Sequence, residues 1–237
     1  MRRREFHRQA GGLAIGTMGA IGTAVRSAGS GALGSLGLLA APALRAQRVE
    51  PVELQDYVRL ERPVAVRLPA GQKLELIEFF WYGCPHCNAM EPVLAPWVRQ
   101  LPPDVRFRLV PVGFTRNHVA GQRLFYALQA AGLVERLHAR VYEHLHETEG
   151  RLDSEWQMRN FVARHGGDVE RFAAALRAPE LTQSVQQANS LVDAFGVDGV
   201  PTFGVHGRFT TSPEQTGGRE RCLQVVEWLL ERSREAA

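Results

Sequence analysis

Two of the three cysteines in this 237-residue chain, Cys84 and Cys87, are separated only by Pro85 and His86. Sulfur exchange is carried by the thiolate, so the question is what would stabilise a negative sulfur there. Proline suits the first position of a helix, where its missing N–H would have had no partner. A helix opening at Cys84-Pro85 puts the Cys84 sulfur at unpaired backbone N–H groups and at the positive end of the helix dipole. Such settings lower a cysteine pKa from about 8.5 into roughly 3.5–7.5. His86 adds a polar, protonatable neighbour. A stabilised thiolate is also a good leaving group, which makes the Cys84–Cys87 disulfide easy to attack and therefore oxidising. Cys87, one turn further in, is expected to be more buried and to act as the resolving thiol. The redox group would be the disulfide itself, with no added cofactor. The alternative is half of a zinc site. Zinc needs three or four ligands, and no second CxxC exists. His138, His144 and His146 are available donors, but Cys222 falls on the apolar face of a helix. The strand–helix setting of the pair favours redox chemistry over metal binding.

The elements that must hold this pair can be read on either side of it. A short strand is expected at 57–60. Residues 73–82 form an apolar run with two aromatic pairs, Phe79-Phe80 and Trp81-Tyr82, and read as a buried central strand. Gly83 ends it. Pro92 and Pro96 should kink or divide the helix that follows. Residues 105–114 read as a second buried strand, completing a βαβ unit. Strand character then disappears. Leu124, Leu128 and Ala131 recur at helical spacing, as do Leu133, Leu137, Val141 and Leu145. Ser154-x-x-Gln157 matches a capping box, opening a helix that carries Trp156, Met158, Phe161 and Val162. Helices are also expected at 168–177 and 179–195. A hairpin follows from Gly199 to Thr211 through the turn Gly207-Arg208, then a final helix at 219–232. The expected fold class is α/β: a thioredoxin-like core at 47–114 and 198–237, with an all-helical domain inserted at 115–197.

Three further positions bear on the chemistry. Val200-Pro201 precedes the hairpin and is a candidate cis bond, the alternative being a trans proline at a strand start. A cis bond would present the Val200 backbone beside Cys84, where an extended substrate could pair by strand addition. Glu78 interrupts the apolar run six residues before Cys84. On a buried strand its pKa would be raised and it could relay the proton of Cys87; at a solvated strand end it would do neither. Arg106 and Arg108 alternate with apolar residues and read as a solvated strand face. Cys222 reads as a small buried apolar residue.

Composition narrows the remaining classes. The chain carries 28 Lys+Arg against 25 Asp+Glu and is 45% hydrophobic, which excludes disordered and disulfide-stapled small scaffolds. Residues 1–46 contain six Arg and one acid, Glu5, so the remainder has a net charge of −2. The mild basicity belongs to that segment and gives no reason to expect nucleic-acid binding. With Arg3-Arg4-Glu5-Phe6, two uncharged stretches and Ala41-Pro42-Ala43, residues 1–46 read as a twin-arginine-like export signal removed after Ala43 or Ala46. The other reading is an uncleaved anchor, for which its glycines and serines make poor bilayer spans. Export leads to a compartment where a CxxC can persist as a disulfide.

Glu78 to Cys87 (EFFWYGCPHC) together with Gly199-Val200-Pro201-Thr202 resembles the periplasmic thiol:disulfide oxidoreductases of the DsbA type, and residues 57–65 resemble their N-terminal strand. The resemblance spans essentially all of the chain after residue 46. It implies Cys84 as nucleophile, Cys87 as its partner, Pro201 as a cis-proline with Thr202 beside it, and Glu78 as the family's buried acid. The family's nucleophilic cysteine is itself a known instance of the depressed pKa argued above. Some members pair the buried acid with a buried lysine, whose counterpart here would be Arg106. The implied partners are unfolded or partly folded exported proteins with free thiols, and a DsbB-type membrane quinone reductase that restores the disulfide. The implied localisation is the periplasm, as a monomer. Departures from the family are the twin-arginine-like leader and the extra Cys222. Other activities to weigh are a disulfide reductase or isomerase, and a non-catalytic exported chaperone or metal-binding module.

Overall fold

The computed structural model describes residues 50–235; the expected export signal and its cleavage site lie outside them. A five-stranded mixed sheet runs in the order β1-β5-β4-β2-β3. The interior strand β2 (Leu74–Phe80) is buried at every residue. On one side β2 pairs in parallel with β3 (Val105–Pro111), and on the other it pairs antiparallel with β4 (Thr202–Val205). The hairpin continues into β5 (Phe209–Thr211), which takes β1 (Val58–Arg59) at the edge. The helix α1 (Pro85–Val98) makes the parallel crossover from β2 to β3. Five helices then intervene before β4: α2 (Arg116–Ala131), α3 (Val134–His146), α4 (Glu155–Arg164), α5 (Val169–Arg177) and α6 (Pro179–Phe195). A short α7 (Pro213–Thr216) and the long α8 (Arg219–Glu235) close the chain. This is the α/β thioredoxin-like fold with a helical insertion.

Alternation along β2 divides the core. Leu74 and Leu76 face α1 and α8, packing with Met90, Leu94, Val225, Val226 and Leu229. Ile77 and Phe79 face the opposite side and meet Val192 and Phe195 of α6. Phe80 joins a third cluster with Leu124, Phe125, Leu137 and Phe161 of the insert, and that cluster also holds Cys84 and Cys87. The redox pair is therefore built into the seam between core and insert. Each fully buried large side chain contributes roughly 1.5–3 kcal/mol, so these clusters outweigh any local helix propensity.

Several expectations are corrected by packing. The strand ends at Phe80, not Tyr82, because the Cys84 N–H turns back to Trp81 O at 3.0 Å and starts the helix. Pro92 and Pro96 do not divide α1, which runs unbroken to Val98. Burial of Cys87, Met90 and Leu94 along its length offsets the lost backbone bonds. Trp156 is exposed, although the other three apolar residues read on α4 are buried. β3 is shorter than expected, and its middle residues are only partly buried because it forms the outer edge of the sheet. Ser154 and Gln157 do form the reciprocal capping box.

Candidate active site

Gly83 links β2 to α1 in a turn where the Trp81 indole lies across the chain. A Cβ at Gly83 would come within 2.4 Å of that ring, so any larger residue there would displace the indole. The turn delivers Cys84 as the N-cap of α1, with Pro85 in the first turn. Cys84, Cys87 and Cys222 are all free thiols in this structure. The Cys84 pKa is lowered to about 6. The largest cause is a hydrogen bond from the Cys87 thiol; burial opposes it, and backbone N–H groups of Cys87 and His86 and the charge of His86 add to it. The unpaired helix N–H groups thus act as the residue order implied, while exposed His86 ranks last among the named stabilising causes.

Cys87 has the opposite surroundings. Burial pushes its thiol strongly up, and donating to Cys84 and facing the Glu78 charge push it further. Glu78 is 2% exposed on the central strand. Its carboxyl is held well above the usual range, first by burial and then by the charges of Glu91 and Cys84. The solvated-strand-end alternative for Glu78 is excluded. Arg106, however, is not its partner. Glu75 pairs in register with Arg106 and Glu78 with Leu109, so Arg106 lies on the opposite sheet face. There Arg106 and Arg108 reach Glu75, at 3.9 and 3.0 Å. Among the described residues no cation pairs with Glu78.

The Val200–Pro201 bond is cis. Sequence separation of over a hundred residues collapses here: the Cys84 thiol donates to Val200 O at 3.4 Å. Thr202 Oγ1–H donates to Gly199 O at 2.8 Å and ties the loop ahead of β4. A groove of about 610 Å³ opens from this point, lined by His86, Val200, Pro201, Thr202, Glu214 and Arg219. Cys222 is fully buried on α8, and burial pushes its thiol up to about 12. Among the described residues no group of three His, Cys, Asp or Glu converges as metal ligands.

Sequence reasoning overlooked Glu91 and read His138 and His146 only as possible metal donors. Glu91 lies one turn beyond Cys87 on α1. His146 Nε2 reaches Tyr82 O at 2.8 Å, and the Tyr82 hydroxyl meets His138 Nδ1 at 2.9 Å. The four-residue spacing of Cys87 and Glu91 was visible in the sequence. The contacts across to α3 were not.

A buried CxxC at a helix start, backed by a carboxyl on the central strand and facing a cis-proline loop, is the site of a thiol:disulfide exchange protein. The DSBA-like thioredoxin domain matches residues 75–221. The thiol:disulfide interchange protein DsbA of Pseudomonas syringae pv. tomato is 37% identical over 195 residues, covering 82% of this chain and 90% of that protein. The Bordetella pertussis protein of the same name is 36% identical, over 76% of this chain and 86% of its own. A crystal structure of Pseudomonas aeruginosa DsbA aligns with a TM-score of 0.73 at 35% identity, covering 77% of this chain and 94% of that one. The Xylella fastidiosa oxidoreductase DsbA aligns at 0.72 and 29%, over 79% and 99%. The chain belongs to the DsbA-like thioredoxin family, and it is a thiol:disulfide oxidoreductase.

Proposed function

We propose that this enzyme works as a periplasmic dithiol oxidase that passes its Cys84–Cys87 disulfide to newly exported proteins. The observation that carries this reading is the contrast between Cys84, lowered to about 6, and Cys87, pushed far up. A thiolate that is stable when reduced makes the disulfide a strong acceptor of electrons. A substrate thiolate attacks the Cys84 sulfur; the Cys84–Cys87 bond breaks, and Cys87 leaves and takes a proton from Glu78. A second substrate thiolate then attacks the substrate sulfur of the mixed disulfide and releases Cys84 as thiolate. The substrate loses two electrons and gains a disulfide, and the pair gains those electrons. Val200 offers its backbone to an extended substrate beside Cys84, with Pro201 and Thr202 holding that loop, and Pro85 fixes the helix start. His86 adds to the stabilisation of Cys84 and borders the groove. A DsbB-type quinone reductase removes the electrons, and Glu78 then receives the proton of Cys87 as that thiol attacks. The enzyme acts as a monomer after signal removal at Ala43 or Ala46.

The test is the equilibrium of the mature protein with glutathione, read by trapping the thiols of Cys84 and Cys87. A potential well above the glutathione poise is expected. A value as reducing as that of thioredoxin would overturn the oxidase reading in favour of a reductase.

A further inference from the structure

Behind Cys87 the insert supplies a histidine that the exchange steps above leave unused. His138 is 7% exposed on α3, its ring enclosed by Phe80, Tyr82, Phe125 and Tyr142 at centroid distances of 5.2–6.4 Å. Its Nδ1 lies 2.9 Å from the Tyr82 hydroxyl. Its Nε2 is buried without a hydrogen-bond partner and points to Glu91 Oε2 at 3.6 Å. A buried imidazole nitrogen left unsatisfied is costly unless a nearby group can close on it. Glu91, on the outer part of α1 and 18% exposed, has the freedom to do so. If Tyr82 donates its O–H to Nδ1, the ring proton sits on Nε2 and faces the carboxylate.

We propose that His138 is a positioning residue for the exchange reaction: Tyr82 fixes its ring, and its Nε2–H holds the Glu91 carboxylate where that charge acts on Glu78, the proton acceptor for Cys87. The inference rests on the role given to Glu78 under the proposed function. The titratable groups around this point are Glu78 from β2, Tyr82 from the turn, Cys84 at the N-cap of α1, Cys87 and Glu91 from α1, and Tyr142 and His146 from α3; α2 contributes the Phe125 ring. Burial and the Glu91 charge both favour the protonated form of Glu78. The Glu91 charge, kept in place by His138, therefore makes Glu78 a stronger base when Cys87 must lose its proton. The insert thereby contributes to the reaction through α3.

The experiment isolates that step. Reduced protein is mixed with oxidised glutathione; Cys84 attacks, one glutathione leaves, and a mixed disulfide remains. Cys87 then gives up its proton, attacks the Cys84 sulfur and releases the second glutathione. The second release is timed against pH. For His138→Leu the expected result is an unchanged first release, a second release slowed by about tenfold, and a rate midpoint moved to lower pH, a smaller loss than removing a proton-transfer group outright. Glu91→Gln should move the midpoint the same way, with no further change in the double variant. His138→Gln, which keeps an N–H near the Nε2 position, should restore most of the rate. Tyr82→Phe should shift the midpoint partway and serves if His138→Leu does not fold. An unmoved midpoint, or an equal effect of His138→Leu with and without Glu91, overturns the proposal. If Glu78→Gln leaves the second release and its pH profile intact, the assigned proton acceptor falls first. If Glu78→Gln flattens the profile and His138→Leu leaves it alone, only the role of His138 falls.

Discussion

Cys84 and Cys87 share one helical turn and one disulfide chemistry, yet their surroundings drive them in opposite directions. Cys84 receives hydrogen bonds, from the Cys87 thiol and from two helix N–H groups, and it lies against the Val200 carbonyl. Cys87 donates one and faces a buried carboxyl. Burial alone would raise both. Cys87 is pushed up first by burial and then by donating its hydrogen bond, whereas at Cys84 the bonds received at the helix start outweigh burial. An asymmetric pair emerges from a four-residue motif because the two sulfurs sit at different heights on one dipole.

The sharpest way to break this contrast is to remove Cys87. In Cys87→Ala no Cys84–Cys87 disulfide can form, so oxidation of a dithiol substrate should fall to the uncatalysed level, while Cys84 given oxidised glutathione should form a mixed disulfide that no internal thiol resolves. The thiolate absorbance of that variant should titrate at a clearly higher pH than the native value near 6. His86→Ala should move it less, because the His86 charge is the weaker cause. A larger shift for His86→Ala than for Cys87→Ala would reverse the ranking. The next effect concerns Glu78 and stability. Its folded pKa is raised above the unfolded value of about 4.3, so the folded protein binds more protons than the unfolded chain. Stability contributed by protonated Glu78 is therefore full below about pH 4.3 and declines as pH rises through the folded pKa. Glu78→Gln should remove that decline and gain about 1–3 kcal/mol at neutral pH, read by denaturant unfolding across pH. A parallel pH slope in both proteins would contradict it. The smallest effect lies at the third sulfur. Cys222→Ala should cost about 1 kcal/mol through a small cavity and leave exchange rates unchanged, and native Cys222 should resist alkylation.

What was legible in the sequence follows which forces act locally. Pro85 after Cys84 marked the helix start, the apolar, aromatic-rich run at 73–82 marked a buried strand, and Ser154 with Gln157 marked a helix cap. Each of these depends on residues within a turn or two. Cys84, Cys87, Glu78 and Pro201 could be singled out because their types are unusual where they stand. The errors came where tertiary packing overrides local rules. Pro92 and Pro96 sit inside an intact α1 because its buried face spans both. Arg106 was linked to Glu78 by analogy, yet strand parity places it on the other side of the sheet. The link from Tyr82 to His138 joins residues 56 positions apart, and no spacing rule reaches that far.

The outer strand β3 carries one more consequence, for an enzyme whose substrates are themselves protein chains. Extended chains seek any sheet edge with unpaired N–H and C=O groups, and an open edge invites aggregation. One edge of this sheet, β1, offers only two residues, Val58 and Arg59. The other, β3, places Arg106 and Arg108 along its length and ends in Pro111, which has no N–H to give. Charge, brevity and proline thus guard both margins of the sheet against adventitious strand pairing.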